Sequence, residues 1–377
     1  MLDLSGIRVV DNHCHPVLLK QEMDTLRFRS YFTEATHPSF AQIHLPNTVY
    51  YLWVLRQLAA FYGCDCSEDA IIATRNNIPA DSLINQLVQA AHIDTLILDI
   101  AYPLPETCYE AERIGQAGQC RVVKLLRLET LMQRLVVEYA DFSEVADRFT
   151  YEVSKVRENG YCALKSIVAY RSGLDIETWS KDEAVASFTE ARAEAVRQGH
   201  LRLTHKPLID YLLHIAFRQA AEQHIPIQFH TGYGDSTTDM RLGNPLHLRK
   251  VLECNDYQTA PIILLHESYP YCQFGAYLAA IYPNVYFDLS YAIPFVDKLE
   301  MVAFTRQALS IAPASKLMYS SDGIYVPEMY WTSALRGRSV LSQVLQEMIT
   351  ADEIDQEQAY QLAQQVLHDT AYTLYKL

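Results

Sequence analysis

Short apolar runs alternate along this chain with longer stretches in which apolar residues recur at helical spacing. Eight runs read as strands: 7–13, 93–100, 120–128, 161–168, 225–230, 261–266, 285–290 and 316–322. Stretches between them, at 131–157, 184–197, 208–222, 245–254, 274–281 and 301–312, read as helices, and 354–375 is a strongly amphipathic tail. A strand followed by an amphipathic segment, repeated in this way, is the pattern of a parallel sheet with helical crossovers. Eight repeats predict an α/β fold of the (β/α)8 TIM-barrel type, which typically takes about 250 residues. Chain length is 377 residues. The excess lies at 169–224 and above all at 16–92, after the first strand. Residues 1–377 therefore read as a single barrel domain, with 16–92 as a helical cap inserted on the face where barrel sites form. Arg27, Arg29, Tyr31, Phe32, Tyr50, Tyr51 and Trp53 of that insertion are material for substrate contacts or for ordinary packing of the cap.

The ends of the strand-like runs carry the candidate chemistry. His13-Cys14-His15 closes the first run, and alternate strand residues share a face. Its two imidazoles then lie about 6.6 Å apart along the backbone, close enough to reach one metal ion. Lys165 lies in the fourth run, and His230, His266 and Asp322 end the fifth, sixth and eighth. Both faces of a barrel strand are covered, and a buried lone ammonium is very unfavourable. Lys165 must therefore pair with a carboxylate such as Asp99 or Asp322, or lose its charge. An uncharged amine can take up carbon dioxide as an anionic carbamate able to bridge two divalent ions. His230 and His266 can be ligands or hydrogen-bonded core residues, and Asp322-Gly323 is also a turn signal. A histidine and carboxylate set of this kind suits zinc or another first-row ion. Such an ion acidifies bound water and polarises a carbonyl, and Asp322 is placed to take the water's proton. Arg171, next to Tyr170 after the fourth run, is a candidate anchor for a substrate carboxylate; Arg127 and Arg241 are weaker ones.

Charge and cysteine usage narrow the setting. The net charge is -14, with no cluster of Lys and Arg, which argues against a nucleic-acid partner. No run of apolar residues is long enough to span a bilayer, and the start lacks the pattern of a secretory signal. Eight scattered cysteines give no disulfide framework, and Cys64-x-Cys66 precedes a helix start at Ser67-Glu68-Asp69. These features describe a cytoplasmic protein with free thiols and a small-molecule substrate, with a homodimer as the default assembly.

Together, His13-x-His15, Lys165, His230, His266 and Asp322, in this order on strands one, four, five, six and eight, resemble the amidohydrolase superfamily. The stretches 11–16, 164–174, 228–235, 265–270 and 285–290 look like its amidohydrolase-2 branch, which includes the N-terminal domain of fungal FluG and plant nodulin-like proteins. The resemblance implies a binuclear centre. His13, His15 and Asp322 would hold one ion, His230 and His266 a second, and a carboxylated Lys165 would bridge them. It implies a hydrolase in which metal-bound hydroxide attacks a carbonyl, most simply an amide of a small acidic substrate such as a γ-glutamyl amide, with Tyr170 and Arg171 as substrate contacts. Two other readings are a single-metal, non-oxidative decarboxylase, whose relatives generally lack the strand-four lysine, and a metal-stabilised barrel that binds without catalysis.

Overall fold

The computed structural model describes residues 2–20 and 22–377. Eight strands form one sheet in chain order: β1 (Val9–Cys14), β2 (Ile93–Asp99), β3 (Arg121–Arg127), β4 (Tyr161–Ser166), β5 (Ile227–Phe229), β6 (Ile262–Leu264), β7 (Val285–Ser290) and β8 (Leu317–Ser320). Every pair whose register is resolved is parallel. The ends of β1 and β8 meet. Asp322 N donates to His13 O at 3.0 Å and His15 N to Gly323 O at 2.8 Å, while Ser321 N donates to the Asp11 carboxylate at 2.8 Å. Sequential order, parallel pairing and joined ends make this a (β/α)8 fold, as the alternating pattern predicts.

Two compact units are distinguished by their internal contacts. One comprises Met1–Val123, Gly234–Ser236 and Asp288–Thr373; the other comprises Lys124–Tyr233, Thr237–Phe287 and Leu374–Leu377. In the first unit, the segment after β1 contains the helices Thr25–Ser30, Val49–Tyr62, Glu68–Asn77 and Ala80–Ala90. Ala80–Ala90 packs on the helices Ala111–Gly118 and Pro327–Thr350, so it is the crossover helix from β1 to β2. Phe28, Phe32 and Tyr51 are fully buried within this segment, with ring centroids 5.0–6.5 Å apart. Arg29 forms a two-pronged pair with Glu68 at 2.6 and 2.7 Å, and the Tyr51 hydroxyl donates to the same carboxylate at 2.7 Å. Arg29, Phe32 and Tyr51 are thus internal packing of the inserted helices.

Several elements differ from the periodicity. The stretch at 131–157 is two helices, Leu128–Glu138 and Phe142–Ser154, because Asp141 caps the second by accepting from Ser143 N and Glu144 N. The longest helix, Pro327–Thr350, is absent from the sequence reading. Its buried positions run almost around its circumference, which erases the one-sided stripe that marks a surface helix. β5, β6 and β8 are short, ending before His230, His266 and Asp322. In the second unit, β4 sits in register between Arg127 of β3 and Gln228 of β5, with Lys165 as the shared partner.

Candidate metal centre

In the first unit, His13 and His15 leave β1 with their rings 5.0 Å apart and nearly perpendicular. Asp322 sits one residue beyond Ser321 with φ of +46°, a left-handed conformation that Asp tolerates better than most residues. The turn geometry expected of Asp322-Gly323 and the candidate ligand position thus coincide. This turn brings Asp322 Oδ1 to 3.7 Å from both His13 Nε2 and His15 Nε2. That is too long for a hydrogen bond. It is close to the separation of about 3.4 Å between two ligands on one tetrahedral ion with bonds near 2.0–2.2 Å. His15 Nδ1 is 2.9 Å from Tyr102 O; donation to that carbonyl leaves Nε2 with the lone pair, the arrangement that orients metal-ligating histidines. His13 is fully buried, His15 nearly so, and the Asp322 carboxylate is 19% exposed. These three side chains fit a divalent cation.

Supporting groups hold the backbone and side chains around these three residues. Asp11 is fully buried, and burial outweighs the bond from Ser321 to push its carboxyl up to about 7. On β7, Asp288 accepts from Ser320 Oγ at 2.7 and 2.8 Å. The Tyr102 hydroxyl lies 2.7 Å from that of Tyr325, and Tyr31 stacks on Tyr325 with centroids 5.1 Å apart. Tyr102 and Tyr325 were not singled out in the sequence, although Tyr325 follows Asp322 by three residues.

In the second unit, Lys165 is 1% exposed, as a barrel strand requires. One residue on, Ser166 Oγ donates to Glu129 at 2.6 Å and Ile167 N to the same carboxylate at 3.0 Å. Burial pushes this carboxyl up despite both bonds. His230 follows β5, its backbone N–H still bonded to Ser166 O at 3.0 Å. Its Nε2 lies 2.6 Å from Tyr233 O, so Nε2 donates and Nδ1 keeps the lone pair. The His230 ring lies 4.3 Å from that of Tyr170 and 4.4 Å from that of His266 between centroids. Arg171, next in the chain, is half-buried. His266, Glu267 and Ser268 are consecutive left-handed residues with φ of +61°, +51° and +48°. Gly232 permits their approach, since a Cβ there would stand 2.3 Å from Tyr269 O.

Each unit therefore gathers its own set: His13, His15 and Asp322 in one, and His230, His266 and Tyr170 in the other, with Lys165 on the strand hydrogen-bonded to β5. Arg241 is not drawn in; it is exposed and paired with Asp239 at 2.7 Å.

Comparison with known proteins extends these observations. Residues 175–377, more than half of the chain, match the amidohydrolase family. The whole chain aligns with Protein fluG of Emericella nidulans at 26% identity over 418 positions, spanning 47% of that protein, about half its length. A crystal structure of a Lactobacillus casei protein, provisionally assigned as a metal-dependent hydrolase, superposes with a TM-score of 0.88 and 27% identity, covering 100% of this chain and 98% of the other. Uronate isomerase of Thermotoga maritima superposes at 0.70 with 14% identity, covering 98% and 95% of the two chains. At that identity the likeness is one of fold.

Proposed function

Because this chain belongs to the amidohydrolase family, we propose that it is a metal-dependent hydrolase cleaving the C–N bond of a small amide that carries a carboxylate, such as a γ-glutamyl amide. The carrying observation is the convergence of His13 and His15 on Asp322, with separations of 3.7 Å that suit shared coordination. His13, His266 and Asp322 offer the donor types that hold a divalent ion, with His15, His230 and a carboxylated Lys165 completing a set for one or two zinc ions. Such an ion lowers the pKa of water and polarises a carbonyl. Asp322 is the catalytic carboxylate: its partly exposed oxygens hold the proton taken from water and release it to the departing nitrogen. Tyr170 and Arg171 contact the substrate. A buried lysine on β4 favours hydrolysis over a single-metal decarboxylation, which needs no bridging anion. All eight cysteines are free, in keeping with a reducing compartment, and no helix among the described residues is long and apolar enough to cross a membrane.

Metal content per chain tests this reading, with wild type and Lys165→Ala expressed in added zinc. About two equivalents falling to one or fewer in the variant, together with amine release from γ-glutamyl amides, is the expected result. One equivalent in both proteins would remove the bridging role and put carbon dioxide release from a carboxylated substrate first.

A further inference from the structure

Two loops of the second unit, after β5 and after β6, are joined into one piece through a threonine hydroxyl. Thr231, between His230 and Gly232, is fully buried, and so is Ser268. The Thr231 hydroxyl donates to Leu265 O at 2.6 Å. A hydroxyl has one proton, so at the 2.8 Å contact with Ser268 Oγ the serine donates and the threonine accepts. Leu265 precedes His266, and its N–H is bonded to Phe229 O at 3.0 Å. Both backbone polar groups of the residue before His266 are thus tied to the segment that carries His230.

The joint holds an unfavourable backbone in place. The left-handed region is costly for any residue with a Cβ, and the consecutive residues His266, Glu267 and Ser268 all occupy it. Such a run persists only where its surroundings impose it. Ser268 N adds a second bond to Leu265 O at 3.2 Å, Tyr269 N bonds His266 O at 3.0 Å, and Tyr233 N bonds Tyr269 O at 2.8 Å. Of these bonds, those of the Thr231 and Ser268 hydroxyls can be removed by substitution without touching the backbone. The His230 ring is set from the same side, through Tyr233 O at 2.6 Å. The joint therefore fixes both imidazoles, whose planes are tilted by 51° to each other.

Histidines that hold a metal depend on the groups behind them for their orientation, and losing such a group typically weakens metal binding about 10–100-fold. We propose that Thr231 is a positioning residue of the metal centre: its hydroxyl, with Ser268 behind it, maintains the left-handed run that aims His266 at the ion it would share with His230. This rests on the metal-dependent reading of His230 and His266 and is independent of which bond is cleaved. Thr231→Val keeps the shape of the side chain and removes both of its hydrogen bonds. Ser268 Oγ then loses its acceptor, Leu265 O loses one of two donors, and His266 is released toward ordinary backbone angles.

Competition between the zinc-loaded full-length protein and a chromophoric chelator measures zinc affinity without turnover. The zinc that His266→Ala loses should be held about tenfold or more weakly by Thr231→Val than by wild type. Ser268→Ala should weaken it in the same direction, and Thr231→Ser, which keeps the hydroxyl, should restore it. Cobalt-loaded proteins give a second readout: the d–d absorption of Thr231→Val should move toward that of His266→Ala, while Thr231→Ser overlays wild type. A side chain that only stabilises the fold would shift the urea midpoint and leave the cobalt spectrum alone. Wild-type zinc affinity and cobalt spectrum in folded Thr231→Val overturn the proposal, as does a Thr231→Ser as weak as Thr231→Val. Should Thr231→Val not fold, Ser268→Ala decides: weaker zinc upholds the role and wild-type affinity overturns it. If His266→Ala keeps wild-type zinc affinity, the proposal falls together with the two-ion centre. If zinc is lost as expected and wild type cleaves no γ-glutamyl amide, the positioning role stands and the hydrolase reading fails. If amides are cleaved and Thr231→Val holds zinc as wild type does, the positioning role fails alone.

Discussion

A carboxyl that titrates near neutrality in the folded chain destabilises that chain once it ionises. Glu34 is such a group: burial and the neighbouring Asp235 push its carboxyl up to about 7 from an ordinary value near 4.5. Between these values the folded state binds the proton more firmly, so stability falls as pH rises from about 4.5 and levels off above about 7. A shift of this size corresponds to at most about 3 kcal/mol. Glu34→Gln should therefore be more stable than wild type at pH 8 and no different at pH 4, as read from urea denaturation without ligand. A difference that does not change with pH would mean that Glu34 is solvated. The candidate ligands at the strand ends were visible because each stands out chemically against an apolar run: His13 and His15 after Val9-Val10, His266 after Ile262 to Leu265. Glu34 was not: its shift comes partly from Asp235, which lies far away in the chain, and no local pattern records that proximity.

Elements are held to one another by few but deeply buried links. Arg75 of the helix Glu68–Asn77 pairs with Glu328 at the start of the helix Pro327–Thr350, and the Tyr62 hydroxyl donates to the same carboxylate at 2.9 Å. Arg75 is 3% exposed and Glu328 fully buried; Arg75 Nη1 and Glu328 Oε2 make no hydrogen bond. Removing one partner of such a pair leaves a stranded charge, whereas removing both leaves apolar packing. Glu328→Met should cost about 3–5 kcal/mol, and the double variant with Arg75→Met should recover most of it. Chemical denaturation of the four proteins measures this, and additive losses would show the two residues to be energetically independent. This link was illegible for the same reason as its helix: Met329, Tyr330, Trp331 and Thr332 are consecutive and all buried. Periodicity finds elements with one wet face, and this helix has almost none.

At the scale of the molecule, the order of strands was readable because each strand of a (β/α)8 fold announces itself separately and pairs with the next. Lengths were less readable, since β5 and β6 end before the apolar runs do. What closes the interior came from further away. The Tyr375 hydroxyl accepts from Gln228 Nε2 at 2.8 Å, and Gln228 is the in-register neighbour of Lys165. Tyr375→Phe should lower stability by about 1–2 kcal/mol, because it leaves a buried amide short of a partner; an unchanged melting temperature would show that water replaces the hydroxyl. The same bond sets a schedule for biosynthesis. Gln228 and Tyr375 are 147 residues apart, and at ordinary elongation rates of 5–20 residues per second the ribosome needs about 7–30 s to travel from one to the other. Throughout that interval β5 has been made but lacks the tyrosine hydroxyl that its glutamine meets in the folded chain, and its apolar residues stay open to neighbouring polypeptides until the later strands cover them.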